Sequence, residues 1–269
     1  MAGSQDGVKH TPAEREHGIE TSDGNRTTRR GFVGGLAVLG SVAVNGDSST
    51  SAAQSVPTPR LRVDGRWLRD GNGNRVTLRG LNVVDPWWGE RYQEMGGATY
   101  RETLDRLTDP SNGWYPRVIR IPYQHAVQNL DLQQVVTEYM RPLVDRLAAR
   151  NCYVILDYHR IARWDTEETD RQLRRFWDAV APAFADDDHV LFELFNEPTR
   201  PFGEGVADWT RWRRTAEPWV DLIRSHAPDT PIIVGSPRWS SYTRYANRDP
   251  FRDDNVVYSA HIYPSHFRE

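Results

Sequence analysis

A glutamate that donates a proton needs burial, a partner and neighbours that hold the reacting group. The stretch LFELFNEPTR offers such a glutamate, setting Asn196-Glu197-Pro198 directly after a run of apolar residues. Polar residues suited to catalysis close the other apolar runs in the same way. Asn82 follows LRGL, Arg120 sits within VIRIP, His159 follows ILDY, Trp239 follows VGSPR, and His261 with Tyr263 follows VVYSA. Five of the six runs thus end in groups that hydrogen-bond a hydroxylated ligand or exchange a proton with it. A solvated loop face would not choose them so regularly. The chain also carries 10 tryptophans and 11 tyrosines. Trp87, Trp88, Trp164 and Trp239 fall just past apolar runs, where indoles facing a cleft would stack on the flat C–H faces of a sugar. Trp177, Trp209, Trp212 and Trp219 lie in helical patterns and are expected in the core.

Such residues act together only if something lays their runs side by side. The runs VTLRGLNVV (76–84), RVIRIPY (117–123), CYVILDY (152–158), VLFELFN (190–196), PIIVGS (231–236) and VVYSAHIY (256–263) start roughly 25 to 40 residues apart, the rhythm of repeating βα units with parallel strands. Between them, Leu132 to Arg150, Thr169 to Phe184 and Val206 to His226 carry apolar residues at three- and four-residue steps, with Pro142 as the expected kink of the first. Upstream, LRVDGRWLRDGNGNRVTLRG predicts a hairpin turning at Asp70 to Asn74. Alternating strands and helices admit a doubly wound sheet or a (β/α)8 barrel. No G-x-G-x-x-G or G-x-x-x-x-G-K turn follows a strand, which argues against the nucleotide-binding forms of the first. In a barrel, the polar residues at the strand ends would share one face.

Composition narrows the class. The 269 residues are 38% hydrophobic with a net charge of −3, enough for one enzyme-sized domain and poorly suited to nucleic acid. Residues 1–54 hold six acids and five bases, leaving 31 acids against 29 bases in the remainder. Lys9 is the only lysine, a signature of a GC-rich genome. Cys152 is the only cysteine, so no internal disulfide or thiolate cluster forms, and its place in CYVILDYH marks it as a core residue. No metal or other cofactor is expected: Asp157 and His159 share a strand face, but nothing supplies a third ligand.

Residues 1–54 read as a polar tail followed by a twin-arginine export signal. Arg29-Arg30 precede the apolar run Phe32 to Val44, which is too short for a spanning helix, and Ser51, Ala52 and Ala53 offer a cleavage site. Residues 55–60 are a linker, and 61–269 are the folded part. The expectation is a secreted monomer with no stable membrane association.

The ordered signatures LRGLNVV, VIRIPY, VILDYHR, LFELFNEP and VVYSAHIYP resemble glycoside hydrolase family 5, which includes endo-β-1,4-glucanases and mannanases. The resemblance implies a TIM (β/α)8 barrel that hydrolyses a β-1,4-linked polysaccharide such as cellulose by retention. Glu197 would be the acid/base and Asn196 would hold the sugar 2-hydroxyl. Arg120 would support the nucleophile carboxylate, and His159, His261 and Tyr263 would line the subsite at the cleaved bond. Burial and a neighbouring anion are expected to raise the Glu197 pKa. The family's nucleophile, a glutamate after the seventh strand, has no counterpart here. Glu269 lies too close to His261, so an incomplete barrel of about six βα units is expected, with Asp85, Glu90 and Asp165 the next carboxylates to consider. A non-catalytic carbohydrate-binding protein, or a mannanase or exo-glucanase of the same family, is the alternative.

Overall fold

In the computed structural model, which describes residues 57–263, each of the six apolar runs carries a strand. The leader (1–54) and the first residues of the linker lie outside the described residues. An antiparallel ribbon of β1 (Arg62–Asp64), β2 (Trp67–Arg69) and β3 (Arg75–Val76) comes first. Its second turn is the predicted one, closed by Asp70 Oδ1 accepting from the N–H groups of Asn72 and Asn74 at 3.0 and 2.8 Å. There follow β4 (Gly80–Asn82), β5 (Val118–Pro122), β6 (Tyr153–Asp157), β7 (Ile161–Ala162), β8 (Val190–Glu193), β9 (Glu197–Pro198), β10 (Ile232–Val234) and β11 (Val256–Tyr258).

Six of these form a parallel sheet in the order β4-β5-β6-β8-β10-β11, and β7 pairs with β9 alone. Each strand lies beside the one before it and the order never reverses. That is the order of a (β/α)8 barrel and excludes the doubly wound alternative. The sheet is tight at its β4 border: a Cβ on Gly80 would stand 1.8 Å from the Val118 carbonyl oxygen, so only glycine fits.

The helices are α1 (Pro86–Glu94), α2 (Tyr100–Thr108), α3 (His125–Asn129), α4 (Leu132–Gln134), α5 (Arg141–Ala148), α6 (Glu167–Phe184) and α7 (Val206–His226). The single kinked helix expected over Leu132 to Arg150 is instead α4, a π-helical stretch (Val135–Met140) and α5. Pro142 has no N–H to give to the turn before it, and the wider turn falls directly ahead of it. Periodicity did not announce α1 and α2. Their local caps do: Asp85 precedes Pro86, and Thr99 with Glu102 forms a reciprocal capping box.

Period-two alternation divides the strand side chains into two sets. Ile119, Ile121, Val154, Leu156 and Phe192 face the helices, packing with Phe176, Trp177, Trp212 and Trp219 in one buried cluster. Val118, Tyr153, Leu191 and Ile233 face inward with Leu61, and Leu68 and Val76 from the ribbon, with Leu78 just after it, close over them. The ribbon therefore covers the N-terminal ends of the strands. Arg60 anchors it there, donating to Ala185 O at 2.9 Å and Thr230 Oγ1 at 3.0 Å. Cys152 is buried as expected, and burial pushes its thiol up to about 12. Among the described residues, no helix is long and apolar enough to cross a membrane.

Candidate active site

The alternation that turns Val118, Tyr153 and Leu191 inward also turns Arg120, Asp157 and Glu193 inward, two or four residues nearer the C-terminal strand ends. Two carboxylates thus meet one guanidinium in the interior. Arg120 donates from Nε to Glu193 Oε2 at 2.6 Å and from Nη2 to Glu193 Oε1 at 3.0 Å, and Nη2 also lies 2.7 Å from Asp157 Oδ2. The same guanidinium reaches upward, donating to Asn82 Oδ1 and Asn196 Oδ1, both at 2.7 Å. Asn82 is in register with Arg120 across β4 and β5. Burial and the charge of Glu193 push the Asp157 carboxyl up to about 6. Burial acts in the same sense on Glu193, but hydrogen bonds from His261 and Arg120 outweigh it and hold that carboxyl below its ordinary value.

Glu197 stands one layer higher. Its backbone is fixed by the β7–β9 pair, with Glu197 N donating to Arg160 O at 3.0 Å and Thr199 N donating to Ala162 O at 2.8 Å. Its carboxylate Oε1 lies 2.7 Å from His261 Nδ1 and also accepts from the Tyr263 hydroxyl. His261 Nε2 lies 3.9 Å from Glu193 Oε1, so the imidazole stands between two glutamates. Burial lowers the His261 pKa, but hydrogen bonds to Glu193 and Glu197 and their charges raise it to about 9. His159 Nδ1 meets Asp157 Oδ2 at 2.5 Å, an orientation that leaves Nε2 on the opposite edge of the ring.

The six residues singled out for catalysis, Arg120, His159, Asn196, Glu197, His261 and Tyr263, therefore line one open cavity of about 340 Å³, together with Asn82 and Ile161. The expected ionisation of Glu197 needs correction. Burial pushes the carboxyl up, but the hydrogen bonds from His261 and Tyr263 prevail and hold it below its ordinary value. Burial and a neighbouring anion are legible in the sequence, but the two donors arrive 64 and 66 residues later in the chain.

The tryptophans divide. Trp239 is 39% exposed, with its ring 5.5 Å from that of Phe202 in the segment after Glu197. Trp88 is 49% exposed and lines a neighbouring apolar groove of about 670 Å³ that shares Asn82 with the site. Trp87 stacks on His125 at 5.9 Å and lies beneath Arg91. Trp164 does not face a cleft: it is 1% exposed, packs on Trp212 at 5.7 Å and donates Nε1 to Pro201 O at 3.2 Å. Its indole fills the core because that N–H finds a backbone acceptor there.

The reserve carboxylates are occupied elsewhere. Asp85 accepts from the N–H groups of Trp87, Gln124 and His125, Glu90 accepts from the Tyr139 hydroxyl, and Asp165 pairs with Arg163. Among the described residues, no group of three or more His, Cys, Asp or Glu is placed to hold a metal ion.

Residues 69–269 match the family model described as cellulase (glycosyl hydrolase family 5). Cellulase CelDZ1 of a Thermoanaerobacterium species is 28% identical over 208 residues, covering 76% of this chain and 52% of that protein. Endoglucanase E-5 of Thermobifida fusca is 27% identical over 234 residues, covering 83% of this chain and 47% of that protein. The chain thus spans about half the length of these relatives. Among solved structures, the catalytic domain of the T. fusca endoglucanase Cel5A superposes with a TM-score of 0.62 at 27% identity, covering 76% of this chain and 65% of that one. A variant of that domain has been solved in complex with cellotetraose. The β-glucanase SdGluc5_26A of Saccharophagus degradans shares the fold, with a TM-score of 0.65 at 22% identity over 78% of this chain and 63% of that one.

Proposed function

Since the chain belongs to glycosyl hydrolase family 5, the cellulases, we propose that it carries the acid/base side of a site that hydrolyses β-1,4-linked glucan with retention. The observation that carries this reading is the gathering of Glu197, Asn196, His159, Arg120, His261 and Tyr263 around one cavity at the C-terminal strand ends. Cellotetraose bound to the related endoglucanase supports a β-glucan as ligand.

The proposed chemistry runs in steps. Asn196, oriented by Arg120, offers its amide N–H to a sugar hydroxyl. His261 and Tyr263 both occupy Glu197 Oε1, so Oε2 is the oxygen left to carry the reacting proton. Retention uses one carboxyl that gives a proton to the leaving oxygen and then takes one from water, and a second that attacks the anomeric carbon from about 5 Å away. The ionised Glu197 of the ligand-free site is ready for the second step. The first step needs it protonated, which an anionic nucleophile beside it and the loss of water on glycan binding both favour. Glu193 and Asp157 are held on Arg120 and unsuited to attack, so the nucleophile is supplied from outside residues 57–263. Arg29-Arg30 and the apolar run after them support secretion by the twin-arginine route.

The test pairs binding with turnover. Calorimetric titration with cellotetraose is expected to show binding by the chain and by Glu197→Gln. In a chain extended by the two further βα units of the family's barrel, release of reducing ends from a soluble β-1,4-glucan should disappear on Glu197→Gln. Turnover that survives Glu197→Gln would overturn the assignment. Binding with no turnover even in the extended chain would favour the second reading, a glycan-binding protein.

A further inference from the structure

Three consecutive residues just past β10 adopt the left-handed conformation, which residues with a Cβ avoid: Arg238 (φ 58°), Trp239 (φ 54°) and Ser240 (φ 58°). None is glycine, so the surroundings must hold the turn in place. The holding contacts converge on Ser240, which is fully buried. Its N–H donates to Ser236 O at 2.8 Å and its hydroxyl donates to Asn196 O at 2.9 Å. Its carbonyl accepts from His261 N at 3.2 Å. One residue is therefore tied through the main chain to the residue preceding Glu197 and to the histidine that bonds the Glu197 carboxylate.

The neighbourhood is built around that hydroxyl. A Cβ on Gly235 would stand 2.4 Å from Ser240 Oγ, so glycine at 235 is what makes room for it. Beside it, the Ser236 and Thr243 hydroxyls meet at 3.1 Å, and Thr243 donates onward to Ser259 O, past β11. The hydroxyls of Ser236, Ser240 and Thr243 thus tie together the segments just past β8, β10 and β11, two of which supply the cavity residues Asn196 and His261.

We propose that Ser240 is a positioning residue for the acid/base pair, setting the separation of Glu197 and His261 by holding the main chain of both segments. The inference rests on Glu197 as the acid/base. It goes further by assigning the alignment of that group to a residue that touches neither substrate nor the carboxylate. The strained turn is the means: its left-handed path aims the Ser240 hydroxyl at Asn196 and its carbonyl at His261, while Trp239 projects outward.

His261 reports the alignment without substrate. The groups facing it are Glu193 and Glu197, with Arg120, Tyr263 and His159 acting on those two carboxylates. NMR titration of the ring in the full chain carrying isotope-labelled histidine reads its pKa, near 9 in the parent. In Ser240→Ala, and in Ser240→Gly, which tolerates the positive φ and so keeps the fold, the Glu197–His261 contact should slacken and the His261 pKa fall by about one unit or more. A merely conformational role for Ser240 would leave the Gly variant titrating like the parent. Retention of the parent value within about 0.2 units in a folded Ser240→Gly would overturn the proposal. Because no glucan enters this measurement, failure of the chain to bind or cleave glucan would sink the glucanase reading alone.

Discussion

Arg120 grips Glu193 with two hydrogen bonds, Nε to Oε2 at 2.6 Å and Nη2 to Oε1 at 3.0 Å, in the interior below the reacting layer. The fork leaves Nη1 and part of Nη2 for the two asparagines, so one side chain neutralises the core and orients the site. Arg120→Met would strand the buried carboxylates of Glu193 and Asp157. It should cost about 3–5 kcal/mol in urea unfolding, whereas Arg120→Met combined with Glu193→Gln and Asp157→Asn should recover most of that loss. A loss below about 1 kcal/mol for the single variant would show that the charges find other partners.

His261 makes stability depend on alkaline pH. Its pKa is raised on folding from 6.5 to about 9, so its contribution is fully present below about pH 6.5 and is lost as pH rises through about 9. Discounted for its partial exposure, the loss between about pH 7 and pH 10 should be on the order of 1–2 kcal/mol. Urea midpoints of the parent should fall over that interval by more than those of His261→Gln. Parallel curves would remove the imidazolium from between the glutamates.

The tryptophans should separate stability from affinity. Trp164→Ala should destabilise by about 3–5 kcal/mol as a core cavity. Trp239→Ala should leave the thermal midpoint within about 2 °C and weaken cellotetraose binding by about tenfold. Reversal of the two patterns would return Trp164 to the ligand surface.

Cys152 should be inert. With its thiol pushed up to about 12 and its side chain buried, it should resist a disulfide reagent at about pH 8 in the native state and react stoichiometrically in denaturant. Rapid labelling of the native protein would contradict its packing.

The strands were legible because each is a short apolar run, and their order followed from an even spacing that admits few connections. The gathering of the six candidate residues around one cavity was legible because a barrel collects the ends of its strands on one face. Asp157 and Glu193 were harder to assign, because a carboxylate within an apolar run has no evident partner until Arg120 is brought across two strands. The charge state of Glu197 was misjudged for the same reason: burial is local in sequence, while its two hydrogen-bond donors arrive from beyond β11. Trp164 misled because the residue after a strand can turn either toward the open end or back under a helix, and only the position of Pro201 O decides. Ser240 carried no sequence signal at all, since nothing in SPRWS marks a left-handed turn.

Pro59 and Arg60 are fastened at the end of the strands opposite the cavity, where Pro59 O accepts from the Tyr153 hydroxyl at 2.7 Å. A chemical handle introduced just ahead of residue 57 would therefore orient every immobilised molecule the same way on a sensor chip. Glu197, at the opposite end of the strands, would face away from the attachment point.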